Sequence, residues 1–197
     1  MKLGIIGAGS LAQAVARRVI AAGHSVVLSN RHGPATLRGI VARLGEHATA
    51  GTPYQAASED TVVLAVHGEQ VTAALSGLAA WEGRTLVDAT NNFRVPTLLP
   101  GELSTSERVA ELAEDAHVVK SFNTLPAAVL ATDPAPSPGL RRVLFVSGDD
   151  LPSKEAFRGF AEELRFSTLD LGGLAEGSRL QQIPGGALAA LNLLRVL

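Results

Sequence analysis

The sequence predicts an open α/β fold, a mostly parallel sheet covered by helices on both faces. Three observations predict it. Short, near-continuous apolar runs alternate with amphipathic segments along the chain. The first apolar run passes directly into the glycine-rich stretch Gly7-Ala8-Gly9. The chain has 197 residues, enough for one well-buried domain and short for two.

The elements follow in order. Lys2–Gly7 is a buried strand, and Ser10–Ala22 a helix with Leu11, Val15 and Val19 on one face and Gly23 as its cap. Ser25–Leu28 is the second strand. Pro34 opens a second helix, with Leu37, Ile40, Val41 and Leu44 on one face and Gly45 closing it. A third, weak strand lies within Ala48–Gly51. Thr61–Val66 is a strand, Glu69–Ala80 a helix, Thr85–Ala89 a strand, Glu107–Glu114 a helix and His117–Ser121 a strand. Three prolines in Ala131–Gly139 mark a surface loop. Arg142–Val146 is a strand, Lys154–Leu164 a helix and Phe166–Leu171 a strand. Ala187–Leu197, after Pro184-Gly185-Gly186, is expected to form a final apolar helix. No repeat or low-complexity tract interrupts this order. One domain over residues 1–197 is expected, with residues up to about Gly83 as its first half and residues 117–197 building a cleft and the helical tail.

Composition narrows the function. Apolar residues make up 46% and charged residues 18%, and the net charge is −2. No basic field points to nucleic acid or a membrane surface. The chain has no Cys, so disulfides, thiolate metal sites and thiol catalysis are excluded. The five His residues lack metal-ligand spacing. No G-x-S-x-G elbow supplies a hydrolase nucleophile. No signal-peptide pattern precedes the first strand, and no apolar stretch reaches the roughly 20 residues of a membrane helix. A cytoplasmic protein is expected.

Gly7-Ala8-Gly9-Ser10-Leu11-Ala12 matches G-x-G-x-x-A between a strand and a helix. Gly7 permits the tight turn, Gly9 lets the backbone approach a pyrophosphate, and Ala12 lets the helix sit close to the strand. Helix N-terminal amides then hold the anion. In this βαβ context the pattern predicts a dinucleotide-binding domain of the Rossmann type. The end of the second strand selects the dinucleotide. Asp or Glu there would hold the ribose hydroxyls of NAD. This chain has Ser29-Asn30-Arg31-His32, which offers hydrogen-bond donors and a cation to a 2′-phosphate. NADP(H) is therefore the expected cofactor.

Ligands of open α/β sheets bind outside the carboxyl ends of strands. Those ends here include Ala65-Val66-His67, Thr90-Asn91-Asn92 and Phe122-Asn123-Thr124. Val66, His67, Thr90 and Asn91 are expected along the nicotinamide half. Asn91 and Asn92 suit a carboxamide or a substrate, and equally a helix cap or Asx turn. His67 is in the region for a base or proton donor, and reads as well as a polar lining residue.

With these residues in place, the sequence resembles the NADP oxidoreductases that use the deazaflavin coenzyme F420. The resemblance covers nearly the whole chain. It rests on Ile5–Leu11, Ser29-Asn30-Arg31, Val118-Val119-Lys120-Ser121-Phe122-Asn123-Thr124-Leu125-Pro126 and Ser147-Gly148-Asp149-Asp150. Leu169–Gln182, with Arg179, is similar to the family segment before a C-terminal helix. The Val-Val-Lys-x-Phe-Asn-Thr stretch also occurs in similar domains of transmembrane ferric reductases. The loop Gly7-Ala8-Gly9 is one residue shorter than the family's frequent Gly-Gly-Thr-Gly.

The resemblance implies hydride transfer between NADPH and a deazaflavin or flavin acceptor stacked in the cleft. Such a transfer needs alignment and exclusion of water more than an acid or base. Gly9, Ser10 and Leu11 would contact the pyrophosphate, and Ser29, Asn30 and Arg31 the 2′-phosphate. Val66 and His67 would line the nicotinamide ribose. Asn92, Phe122, Asn123 and Pro126 would border the acceptor pocket. Two other readings compete. One is an NADP(H) sensor without turnover, acting through its apolar tail. The other is a hydroxy-acid or imine dehydrogenase, whose families append a long all-helical domain where this sequence is expected to return to strand–helix–strand after His117. The apolar tail also leads us to expect a homodimer.

Overall fold

The structure, a computed structural model, describes residues 1–94 and 101–197. Nine strands form its sheet: β1 (Lys2–Ile6), β2 (Ser25–Ser29), β3 (Ala48–Gly51), β4 (Thr61–Leu64), β5 (Thr85–Asp88), β6 (His117–Lys120), β7 (Leu140–Gly148), β8 (Ser167–Asp170) and β9 (Leu194–Val196). The order is β3-β2-β1-β4-β5-β6-β7-β8, and every pairing from β3 to β6 is parallel. This is the doubly wound order of a Rossmann domain. β7 joins antiparallel to β6, and β8 runs parallel to β7.

Eight α-helices are described: α1 (Ser10–Ala21), α2 (Arg38–Leu44), α3 (Pro53–Ala57), α4 (Val71–Leu75), α5 (Thr105–Leu112), α6 (Ala127–Leu130), α7 (Leu151–Glu163) and α8 (Leu174–Gln181). Alternation along the strands sends successive side chains to opposite faces. Leu3, Ile5, Val63, Val87, Val119 and Leu144 pack with Val15 of α1 and Phe157 of α7 on one face. Ile6, Val62, Leu64, Leu86 and Val118 pack with Ala56 of α3, Val71 of α4, Val109 of α5 and Leu174 of α8 on the other. Both faces are covered, which is why these strands read as apolar runs.

Five departures from the sequence reading have physical causes. The tail expected as a helix at 187–197 is instead a turn and the strand β9, antiparallel to the start of β7. An eleven-residue helix has little stability without tertiary packing. Here β7 offers an open edge, and Val143 N–H donates to Leu193 O at 3.0 Å while Leu197 N–H donates to Gly139 O at 2.8 Å. The helix expected over Glu69–Ala80 shrinks to a 3-10 turn at Gly68–Gln70 and α4, because Ser76 turns extended and Gly77 is left-handed at φ 72°. α8 went unread because Gly177 lowers its helix propensity. That glycine is needed, since a Cβ there would lie 2.4 Å from Ser147 Cβ. α3 also went unread, although Thr52 and Gln55 form a capping box at its start. The helix opened by Pro34 begins as a 3-10 turn, Pro34–Leu37, before α2. Among the described residues no helix is long and apolar enough to cross a membrane.

Candidate cofactor site

A cleft of about 860 Å³ opens over the carboxyl ends of β1, β2, β4, β5 and β6. It spans the β1/β4 boundary, where the direction of winding reverses. Its size is that of a small-molecule site.

The turn from β1 to α1 forms one wall. Gly7 has φ 124°, and a Cβ on it would lie 2.2 Å from the Ala65 carbonyl oxygen. No other residue fits there. Its N–H donates to Ser29 O at 3.0 Å, and Gln13 Nε2 donates to Ala8 O at 2.9 Å, so the turn is held from both sides. Gly9 is the N-cap of α1 and brings no capping side chain, and the first turn of the helix holds no acid. The free amides of that turn are suited to an anion. A Cβ on Gly9 would meet nothing within 4 Å, so its missing side chain is space left to the cleft. The residues present therefore fit a pyrophosphate.

Arg31 and His32 stand exposed at the end of β2, with Arg31 Nε donating to His32 Nε2 at 3.1 Å. No Asp or Glu lines the cleft among the described residues. Asn30 also lines it, but its side chain is engaged locally. Nδ2 donates to Thr36 Oγ at 3.0 Å and Oδ1 accepts from His32 N–H at 2.9 Å, which shapes the turn that presents Arg31. Ser29 does not reach the cleft. It is fully buried and donates to Ile5 O at 2.9 Å, so it braces β2 instead of holding a phosphate.

At the other end, Ala65, Val66, His67, Ala89, Asn91, Asn123 and Leu125 line the cleft. His67 is exposed at the mouth. Asn91 and Asn123 form a reciprocal pair: Asn91 Nδ2 donates to Asn123 O at 2.9 Å, and Asn123 Nδ2 donates to Asn91 Oδ1 at 2.9 Å. Asn123 Oδ1 is buried without a partner.

Of the residues expected around an acceptor, only Asn123 lines this cleft. Asn92 faces a smaller neighbouring cavity of about 270 Å³, and its Oδ1 accepts from Arg94 N–H at 3.1 Å. Phe122 is buried edge-on to Phe157, with ring centroids 5.4 Å apart. Pro126 is exposed at the start of α6. Thr90 is buried behind the cleft and lines the smaller cavity.

The sequence reading passed over Asp88 and gave Lys120 no role beyond the resemblance; the two residues end β5 and β6 side by side. Both side chains are fully buried, and Lys120 Nζ lies 3.1 Å from Asp88 Oδ2. Burial pulls the Lys120 ammonium below the usual lysine range, against the opposing pull of Asp88. A Lys closing the apolar run Val118-Val119 was the available signal, because a buried cation needs a partner.

Comparison with known proteins agrees with this geometry. Residues 2–92 match the family model described as NADP oxidoreductase, coenzyme F420-dependent. The hypothetical protein SMa0349 of Sinorhizobium meliloti is 40% identical, with a TM-score of 0.90 over 99% of this chain and 96% of that one. A protein of Arthrobacter sp. FB24, described as a candidate F420-dependent NADP reductase, is 26% identical, with a TM-score of 0.72 over 88% of this chain and 86% of that one. Metalloreductase STEAP3 of Rattus norvegicus is 31% identical over 183 residues, which are 93% of this chain and 36% of that protein. The chain thus spans about a third of the length of the curated metalloreductases it matches. The fold, the glycine turn and these matches agree: over residues 2–92 the chain is similar to the NADP oxidoreductases described as coenzyme F420-dependent.

Proposed function

We propose that the chain binds NADPH along the cleft and serves hydride transfer between its nicotinamide and a planar deazaflavin or flavin acceptor. One observation carries this reading. An acid-free cleft lies over the β1/β4 boundary, with an uncapped helix N-terminus on one wall and Arg31 at the end of β2.

NADPH would supply the hydride. The amides of Gly9, Ser10 and Leu11 hold the pyrophosphate, and Arg31 holds the 2′-phosphate by a charge-assisted bond. Ala65, Ala89 and Leu125 keep water from the nicotinamide half, and Val66 and His67 line its ribose. Among the described residues the site shows no acid–base dyad, and hydride transfer between aligned rings does not need one. A homodimer remains part of this proposal, because Leu193, Leu194, Val196 and Leu197 are exposed on the β9 tail. A monomer mass at micromolar concentration would remove that part alone.

The test is a titration with NADPH and NADH, followed by absorbance at the NADPH band with deazaflavin, FMN, FAD and ferric chelates as acceptors. NADPH binding with turnover on a deazaflavin or flavin is the expected result. Binding without turnover on any of them would replace transfer with NADPH sensing. No binding would overturn the cofactor assignment.

A further inference from the structure

The buried pair of Asp88 and Lys120 is a poor source of stability. Removing two charges from water costs more than a single contact at 3.1 Å returns. The other bonds of the pair show what it holds. Asp88 Oδ1 accepts from Thr90 N–H at 2.8 Å, and Lys120 Nζ donates to Thr90 O at 2.5 Å. Asp88 Oδ2 also accepts from Ser106 Oγ at 2.6 Å, which anchors the carboxylate to α5. Both backbone polar groups of Thr90 are therefore clamped by one ion pair.

Asn91 follows Thr90 and carries the clamp into the cleft. Its side chain is locked to Asn123 by the two reciprocal bonds. Asn123 Nδ2 makes a further bond to Gln181 O at 2.7 Å, so both of its N–H groups are used. The amide cannot turn over without facing its oxygen toward the Gln181 carbonyl and Asn91 Oδ1. What remains is Asn123 Oδ1, an acceptor without a partner on a residue only 3% exposed.

We infer that Asp88 and Lys120 are positioning residues for the nicotinamide: they clamp Thr90 so that Asn91 and Asn123, which line the cleft, are held in one arrangement beside the ring. Neither residue lines the cleft, so both act through Thr90 and Asn91. The assignment rests on the NADPH reading. The pyrophosphate and 2′-phosphate contacts lie on other strands, so the clamp governs how the ring sits and leaves the strength of binding to them.

The experiment uses the full chain and the double variant Asp88→Asn/Lys120→Met. This change keeps the volumes, removes both charges together and frees the Thr90 carbonyl. NADPH affinity is read by titration, and ring immobilisation by the fluorescence gain of the reduced nicotinamide on binding. With the wild type, binding raises that fluorescence. With the variant, the dissociation constant stays at the wild-type value, the gain disappears, and single-turnover hydride transfer falls by about 100-fold, the scale of an ångström of misplacement. A variant with the full fluorescence gain and rate overturns the assignment and leaves the cofactor reading standing. A wild type that does not bind NADPH overturns both. If the double variant fails to fold, Asn91→Ala carries the test, since it leaves the clamp intact and cuts its link to Asn123. Loss of the gain with affinity lowered by no more than about 10-fold, the worth of one hydrogen bond, supports the assignment, and a wild-type gain overturns it.

Discussion

Gly9→Val separates ligand from protein in a way few substitutions do. Gly9 has φ −71° and ψ −176°, a conformation that valine adopts freely. A Cβ there has nothing within 4 Å, so no protein atom is displaced. The folded state loses only the small N-cap preference of Gly over Val, within about 1 kcal/mol. The bound state is different, because the new side chain occupies the approach of the pyrophosphate. At 100 times its dissociation constant a ligand stabilises the native state by about 2.7 kcal/mol. For a chain of this size that raises Tm by about 5–10 °C. Thermal melts with and without NADPH are the assay. The wild type should show the rise, and Gly9→Val should melt near the wild-type apo temperature and show none. Gly7→Ala is the contrast. Its Cβ would sit 2.2 Å from the Ala65 carbonyl at φ 124°, so the apo protein itself should lose about 2–6 kcal/mol. A Gly9→Val protein that keeps the NADPH-induced rise would refute the placement of the pyrophosphate.

Three further outcomes are expected. Arg31→Ala should weaken NADPH by about 10- to 150-fold, the value of a charged hydrogen bond of about 1.5–3 kcal/mol, and leave NADH unchanged in calorimetric titration. Equal losses for both would show that Arg31 does not read the 2′-phosphate. Phe166→Ala should cost about 3–5 kcal/mol in urea unfolding, since Phe166 is fully buried, and a loss under about 1 kcal/mol would contradict its place in the core. Asp150 caps α7 through Ser153 N–H, and those bonds hold its carboxyl below its ordinary value of 3.8. The folded state therefore binds fewer protons, so this contribution is present above pH 3.8 and is lost as pH falls through the lower folded value. Asp150→Asn should unfold more easily than the wild type at pH 6 and approach it at pH 2, and urea midpoints with a pH-independent gap would refute the linkage.

The parts of the fold visible in the sequence were those with strong local causes. The strands β1, β4, β5 and β6 are buried on both faces, so their apolar runs are continuous and easily read. The glycine turn was readable because strand, G-x-G-x-x-A and helix follow one another within a dozen residues, with Gly7 required by its φ of 124° and Gly9 leaving space to the cleft. The tail was not, because its structure depends on the free edge of β7, which lies about fifty residues away in sequence. α8 was hidden for a related reason. Its Gly177 is a choice made by contact with Ser147, and its first amide, Leu174 N–H, is capped by Asp149 at 2.8 Å from another part of the chain. That Arg31 and Gly9 line the cleft was legible from type and spacing. The roles of Ser29 and Asn30 were not, because a polar residue at a strand end serves a ligand or its own backbone equally well. Only tertiary geometry shows that Ser29 turns inward to Ile5.

The same geometry explains how the site could work with so little polar chemistry. Besides Asn91 and Asn123, their end of the cleft is lined mostly by Ala65, Val66, Ala89, Leu125 and Ala127, with His67 exposed. Alanine withdraws the wall to the Cβ, which leaves depth for flat rings without adding groups that could compete for the hydride or hold water. In the proposed transfer an acid or base in that wall would gain nothing, since a hydride carries its own electron pair. What such a wall cannot do is orient a ring, because methyl groups have no direction. Orientation must then come from the few polar atoms present, and they are fixed by groups outside the cleft: Asn123 by Gln181, Asn91 by Thr90, and Thr90 by a buried ion pair. A bare apolar slot would permit many ring poses, and that polar scaffold behind it is what would reduce them to one.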